Sequence, residues 1–255
     1  MASLKSPGLI LKRIAFSETS LILKVFTRES GLITLIAKGA KRPKSKFHGL
    51  MDFFTLNQFL YPEKSKSDIL TLTDISLMRD FPRLKSDPAR QSLAHVFLEL
   101  YLKYLHGPGQ SLPHYELLLE HLERLDESHG GAEGHALRLC DFLLGLCAIS
   151  GFSPQFTHCV QCGREVEGFR IRLDAALGGP ICGECSGLDN MGSAFPRRML
   201  AWLDRVQTQG IRAGHLPRSE EAQAEEFLLN FLGTHAGGTR AMKSLEFYHA
   251  MVEEA

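Results

Sequence analysis

GLILKRIAFSETSLILKVFTRESGLITLIAKGAKR, residues 8–42, alternates apolar runs of strand length with short polar turns. The runs at 9–16, 21–27 and 32–38 are rich in Ile, Leu, Val, Phe and Thr, and none is long enough for a helix. Between them, residues 17–20 and 28–31 carry turn chemistry, and Arg28-Glu29-Ser30-Gly31 suits a hairpin in which Gly31 supplies a positive φ. Two more runs of the same character follow at 53–61 and 69–75. Five strands in about 75 residues fit a small closed barrel such as the OB-fold, a recurrent nucleic-acid-binding architecture. An SH3-like barrel is the other fold with this pattern.

The third run leads into KGAKRPKSK, residues 38–46, with five cations in nine residues and no carboxylate. Such a cluster displaces counterions condensed on nucleic acid, a driving force that needs no base sequence and weakens as salt rises. A solvated charge run is the plain alternative. Placement between the third and fourth strands makes this segment a loop or short helix at the barrel mouth.

Charge is divided unevenly along the 255 residues. The total is neutral, with 29 cations against 29 carboxylates, yet residues 1–85 hold 15 cations and 7 carboxylates, a net of +8 that leaves −8 for the remainder. This points to a nucleic-acid surface near the N-terminus and a different task, scaffolding or partner binding, for the rest. With 44% apolar residues, both parts can bury a core. No secretory leader or membrane span is legible, so the chain reads as cytoplasmic, a compartment that disfavours disulfides.

From residue 87 the apolar period lengthens toward four. Asp87-Pro88 is an N-cap with proline in the first turn, and helices are predicted at 88–105, 113–125, 133–149, 196–208, 219–235 and 240–253. The expected division is therefore an N-terminal β-barrel domain, 1–82, and an α-helical domain, 83–255, an α+β multidomain arrangement. Cys140 and Cys147, on an apolar helix, read as buried core thiols.

Within the helical part, Cys159-Val160-Gln161-Cys162 and Cys182-Gly183-Glu184-Cys185 stand nineteen residues apart in an insert at 156–188. Paired C-x-x-C knuckles aim four sulfurs at one point, and four thiolates give Zn²⁺ its tetrahedron with no position open to water. One structural zinc is expected on Cys159, Cys162, Cys182 and Cys185. A zinc deaminase fits poorly: His114-Tyr115-Glu116 matches H-x-E, but Ile181 separates Pro180 from Cys182 and four cysteines leave His114 redundant. A thioredoxin-like pair lacks its strand–helix context. No phosphate loop, nucleophile elbow or dinucleotide fingerprint occurs, so no enzymatic activity is expected.

The order Gly8-Leu-Ile-Leu-Lys12, Ser17-Glu18-Thr19-Ser20, Val25-Phe26-Thr27, Gly31 and Ala37-Lys38-Gly39-Ala40-Lys41-Arg42 resembles the RecO family of bacterial recombination mediators. The resemblance continues in Gly151-Phe152-Ser153-Pro154, Gly178-Gly179 and Met242-Lys243-Ser244-Leu245, spanning nearly the whole chain. It implies an N-terminal OB-fold, a helical domain and a zinc insert that some relatives lack. It also implies binding of single- and double-stranded DNA, annealing of strands coated by single-stranded-DNA-binding protein, and work with RecR to promote RecA loading at gaps, in a cytoplasmic, nucleoid-associated setting. Carried to residues, Lys38, Lys41 and Arg42 match most firmly as phosphate contacts, with Lys44 and Lys46 extending the loop. Lys12, Arg13, Lys24 and Arg28 are further DNA-binding candidates. Phe47, Phe53 and Phe54 are either base-stacking residues or barrel filler. Arg197, Arg198, Arg240 and Lys243 are candidates for docking the C-terminal tail of the single-stranded-DNA-binding protein. Phosphate contacts alone would serve RNA as well, so an RNA-binding module is a competing reading, and an enzyme hidden in the helical half is another.

Overall fold

A computed structural model of the chain describes residues 2–63, 67–104, 112–128, 134–187, 194–237 and 241–253. The first six strands are β1 (Ser3–Ala15), β2 (Leu21–Thr27), β3 (Gly31–Ala37), β4 (Thr55–Pro62), β5 (Ile69–Thr71) and β6 (Asp74–Asp80). They form one sheet in the order β5-β3-β2-β1-β4-β6, with only β3 and β5 parallel among its ladders. β1 is shared: residues 8–15 pair with β2 and residues 3–9 with β4, so one long strand turns the sheet back upon itself. The β2–β3 hairpin turns where expected, with Gly31 at φ 65° and the Thr27 hydroxyl donating to its carbonyl at 3.0 Å.

The α+β architecture holds, with six strands rather than five. Residues 69–75 are not one strand, because the backbone changes partner midway. The Leu72 amide donates to Ile36 O on β3 at 3.0 Å, and the next amide, Thr73, donates to Leu60 O on β4 at 2.8 Å. This hand-over brings the two sheet edges together, while no ladder joins β5 to β6 among the described residues, leaving a partly open barrel. Inside it, Ile10, Leu23, Val25, Leu35, Phe59 and Ile75 form a continuous apolar core.

The remaining elements are α1 (Pro82–Ser86), α2 (Pro88–Tyr104), α3 (Leu112–Glu127), α4 (His135–Ile149), β7 (Arg170–Asp174), β8 (Gly179–Ile181), α5 (Gly183–Ser186), β9 (Ala194–Pro196), α6 (Arg197–Gln209), α7 (Arg218–Ala236) and α8 (Lys243–Glu253). Asp87 caps α2 as its sequence predicts, its Oδ1 accepting the amides of Ala89 and Arg90 at 2.9 and 3.2 Å.

Packing groups these elements into two units, Met1–Gly131 with Met242–Ala255, and Ala132–Ala241. The sequence boundary at 82/83 marks where strands give way to helices, but α1–α3 and α8 pack in the same unit as the sheet. The reason lies on the outer face of β2, where Phe26 is fully buried with its ring 5.3 Å from Tyr101 of α2 and 6.0 Å from Tyr115 of α3. α8 is tied to α2 by Glu99, whose carboxylate accepts the Ser244 amide at 3.0 Å and its hydroxyl at 2.6 Å. In the second unit, α4, α6 and α7 pack on one another, and Trp202 of α6 is fully buried, its indole N–H donating to Gly214 O at 2.7 Å. Cys140 and Cys147 are buried thiols of this core, and burial pushes Cys147 up to about 12. Among the described residues no helix is long and apolar enough to cross a membrane.

Candidate metal centre and nucleic-acid interface

The four cysteines of the insert converge. Their sulfurs all lie within 4.8 Å of one another, and Cys162 Sγ and Cys182 Sγ are 3.6 Å apart. In a tetrahedral Zn–S₄ centre with Zn–S near 2.3 Å, geometry sets the S···S edge at about 3.8 Å, so the donor set fits such an ion. The first knuckle is a tight hairpin: the Cys159 amide donates to Arg164 O and the Gly163 amide to Cys159 O, both at 2.8 Å. Gly163 sits at φ 74°, the turn that returns Cys162 toward its partner. The second knuckle opens α5, with the Ser186 amide donating to Cys182 O at 2.9 Å.

The knuckles are joined through backbone. The Gln155 amide donates to Gly178 O at 2.8 Å and the Val160 amide to Pro180 O at 2.9 Å, laying the first knuckle along β8. The reversal before the second pair lies at 175–178, and Gly179-Pro180 belongs to the strand. A Cβ at Gly179 would stand 2.6 Å from Gln155 O and 2.9 Å from Val160 Cγ1. Gly179→Ala is therefore expected to destabilise the insert by about 1–3 kcal/mol, the usual cost of overpacking. Gly183→Ala is expected to be nearly neutral, since a Cβ there meets nothing within 4 Å. Chelator titration of both variants checks this, with Gly179→Ala losing metal at lower chelator.

The site is electrostatically uneven before any cation arrives. Cys159 is only 2% exposed, and burial raises its thiol, but amide donors from Cys182, Cys162 and Gln161 outweigh that and bring it down to about 6. Cys185 is pushed up to about 12 by hydrogen bonding of its free thiol with Cys182 and Cys162. A dication bound here would remove this conflict by holding all four as thiolates. His114 lies on α3 in the other packing unit, and the only metal-competent cluster among the described residues is the four cysteines.

The basic segment 38–46 is a chain of turns, with Arg42 N bonded to Gly39 O at 3.1 Å and Ser45 N to Arg42 O at 3.0 Å. It is pinned at both ends. Ala37 closes it on β3, and Phe47 and Met51 plug the barrel core just beyond it. Midway, Lys41 binds the β1–β2 turn twice: its amide donates to Thr19 O at 2.9 Å and its ammonium to Ser17 O at 2.8 Å. Lys38, Lys41, Arg42, Lys44 and Lys46 are all exposed. Lys46 is partly neutralised, reaching Thr73 O at 2.6 Å and Asp74 at 3.5 Å. No ion pair engages the other four cations among the described residues.

The second group of candidates is spread along the sheet. Lys12 is exposed and pairs directly opposite Lys24, which donates to Thr34 Oγ1 at 2.8 Å. Arg13 is held by Met51 O at 3.0 Å and Asp52 at 3.2 Å, with its guanidinium 4.6 Å from the Phe53 ring centroid. Arg28 lies at the far end of β2 from the basic segment, roughly 20 Å of strand away. Phe47 and Phe54 are buried and Phe53 is half-buried, packed on the core and on His95. The exposed aromatic beside the basic segment is instead Phe16, in the β1–β2 turn. Its sequence signal is an aromatic ending an apolar run just before a four-residue polar turn.

The tail-docking candidates do not share one unit. Arg197 and Arg198 begin α6 in the second, and Lys243 begins α8 in the first. Arg198 is already ion-paired with Glu220, and Arg197 approaches Glu165 at 3.7 Å. Arg240 lies outside the described residues.

Comparison with known proteins agrees with this layout. Residues 1–81 match the family described as Recombination protein O N terminal, and residues 85–246 match Recombination protein O C terminal. A DNA repair protein RecO from Anaeromyxobacter sp. (strain K) is 31% identical over 242 residues, 93% of each chain. One from Anaeromyxobacter sp. (strain Fw109-5) is 32% identical over 92% of this chain and 91% of its own, and one from Myxococcus xanthus is 30% identical over 94% of both. With both parts matched in order and these relatives aligned over more than nine-tenths of its length, the chain belongs to the RecO family.

Proposed function

We propose that this RecO-family chain is a DNA repair and recombination mediator that acts without chemistry of its own. It binds single- and double-stranded DNA, anneals complementary strands coated by single-stranded-DNA-binding protein, and with RecR promotes RecA loading at gaps. The observation that carries the DNA reading is the basic segment: five exposed cations, four of them without a carboxylate partner among the described residues, on a loop pinned to the barrel, form an electropositive strip that phosphates can occupy without reordering it. Lys38, Lys41, Arg42 and Lys44 are the principal contacts, and Lys46 both contacts phosphate and holds the loop. Lys12 and Lys24, like charges facing each other across a ladder, are relieved by a phosphate between them. Arg13 and Arg28 have weaker claims, the first because it is tied to Asp52 and the second because of its distance.

Residues 1–82 serve as the nucleic-acid module, while 83–255 scaffolds and recruits partners, including the acidic tail of the binding protein. Cys159, Cys162, Cys182 and Cys185 hold one Zn²⁺ that fixes the fold of 156–188 and performs no catalysis. The working compartment is the cytoplasm, at the nucleoid. The test is annealing of two complementary oligonucleotides pre-coated with single-stranded-DNA-binding protein, followed by fluorescence transfer between labelled ends. The chain is expected to accelerate pairing at least tenfold over the coated strands alone. Equal rates with and without it would reject the mediator reading.

A further inference from the structure

We propose that Phe16 is a base-stacking residue that makes this surface prefer unpaired strands, an inference that rests on the basic segment being the phosphate site. Phe16 is 60% exposed, although it follows directly on a strand and its amide is fixed to Ser20 O at 3.2 Å. Its ring therefore stands on ordered backbone. Singly exposed apolar residues are ordinary on protein surfaces. Two neighbours set this one apart.

The first is charge. Ser17 O and Thr19 O, in the same turn as Phe16, are the acceptors that fix Lys41, so the ring and the basic segment form one rigid piece. The second is the floor beside it. Ile14, itself 39% exposed, is in register with Ile22 and Ile36, an apolar row crossing three strands of the sheet. The adjacent row holds Lys12, Lys24 and Thr34. An apolar row with an exposed aromatic two residues beyond its Ile14 end, and with cations on two sides, matches a single nucleic-acid strand, whose bases want a π-face and whose phosphates want ammonium groups. A duplex keeps its bases stacked on one another and can use only the cations.

Removing one stacking partner is expected to weaken single-strand binding by about 5- to 150-fold. The experiment measures binding of Phe16→Ala to a labelled oligo-dT and to a duplex of equal length, across a salt series, beside a Lys41→Ala, Arg42→Ala, Lys44→Ala variant. Support is a loss confined to the single strand, with the slope of log K against log[salt] unchanged because no phosphate contact is removed. An equal loss on both polymers, or no loss on either, overturns the proposal. The variants separate its failure from that of the underlying reading: an unaffected Phe16→Ala beside a flattened slope in the triple variant rejects Phe16 alone, whereas an unchanged slope in the triple variant removes the phosphate site. Phe16→Trp supplies a readout independent of affinity. The chain's single tryptophan, Trp202, is fully buried, so oligo-dT should quench the new indole while leaving Trp202 emission unchanged. Absence of quenching on a bound complex counts against stacking.

Discussion

Replacing Cys159 or Cys185 by serine is expected to strip the metal from the chain and unfold residues 156–188. The insert has little else to hold it. Its own strands are β7 and β8, five and three residues long, and the only strand added to them among the described residues is the three-residue β9 from beyond the insert. Its buried apolar side chains are few, chiefly Phe156, Val166, Ile171, Leu173 and Ile181. A segment of this size cannot bury enough apolar surface to offset its chain entropy without a metal or a crosslink. Zinc on four thiolates supplies about 10–16 kcal/mol of apparent binding free energy at neutral pH in small modules, and that energy is coupled to folding. A serine hydroxyl does not replace a thiolate as a ligand, so one substitution forfeits most of it. The expected results are zinc content falling from one equivalent to near zero, rapid proteolytic cleavage within the insert, and reduced soluble yield. Cys147→Ser is the contrast. It disturbs a fully buried core position but should leave zinc at one equivalent. Acidification should act like the ligand substitutions, because protons compete with the cation for the thiolates and affinity falls as pH falls. A wild-type chain that is free of zinc and fully stable would refute the structural role.

The Lys41→Ala, Arg42→Ala, Lys44→Ala variant should lose salt-dependent affinity for a single strand. Each phosphate contact contributes roughly 0.7 to the slope of log K against log[salt], so removing three flattens it by about two. Between 50 and 200 mM salt that change amounts to a factor of about 16, with the deficit largest at low salt. The fold should survive the change. All three side chains are exposed, and the loop keeps its attachment through Phe47, Met51 and the Lys41 amide. Unchanged slope and affinity would leave 38–46 as a solvated face and move the search for the DNA surface to the strands or to the helical part.

Much of this was legible in the sequence because it depends on local interactions. The six long helices begin and end within three residues of their predicted bounds, since period, caps and glycines are short-range signals. The C-x-x-C spacing identified all four converging cysteines, because each knuckle is built by its own turn. The strands were less clear. Residues 69–75 have the composition of one strand, but Leu72 and Thr73 bond to different strands, β3 and β4, and no local pattern records which strand an amide will meet. Likewise Phe47, Phe53 and Phe54 resemble Phe16 in composition, and only packing puts Phe47 and Phe54 inside while leaving Phe16 out.

By itself, then, the sequence determined that a β-rich basic segment precedes a helical part, that four thiols converge in a set able to hold a metal ion, and where loops and caps fall. Each follows from periodicity, charge or spacing over fewer than about thirty residues. Tertiary structure alone decided that α1–α3 and α8 join the sheet in one unit, because Phe26 is buried against Tyr101 and Tyr115. It alone decided which cations stay free, because Lys46 meets Asp74 and Arg13 meets Asp52 only once the chain has folded. Burial and ion pairing join residues distant in sequence, and the spacing of residues along the chain carries no trace of either.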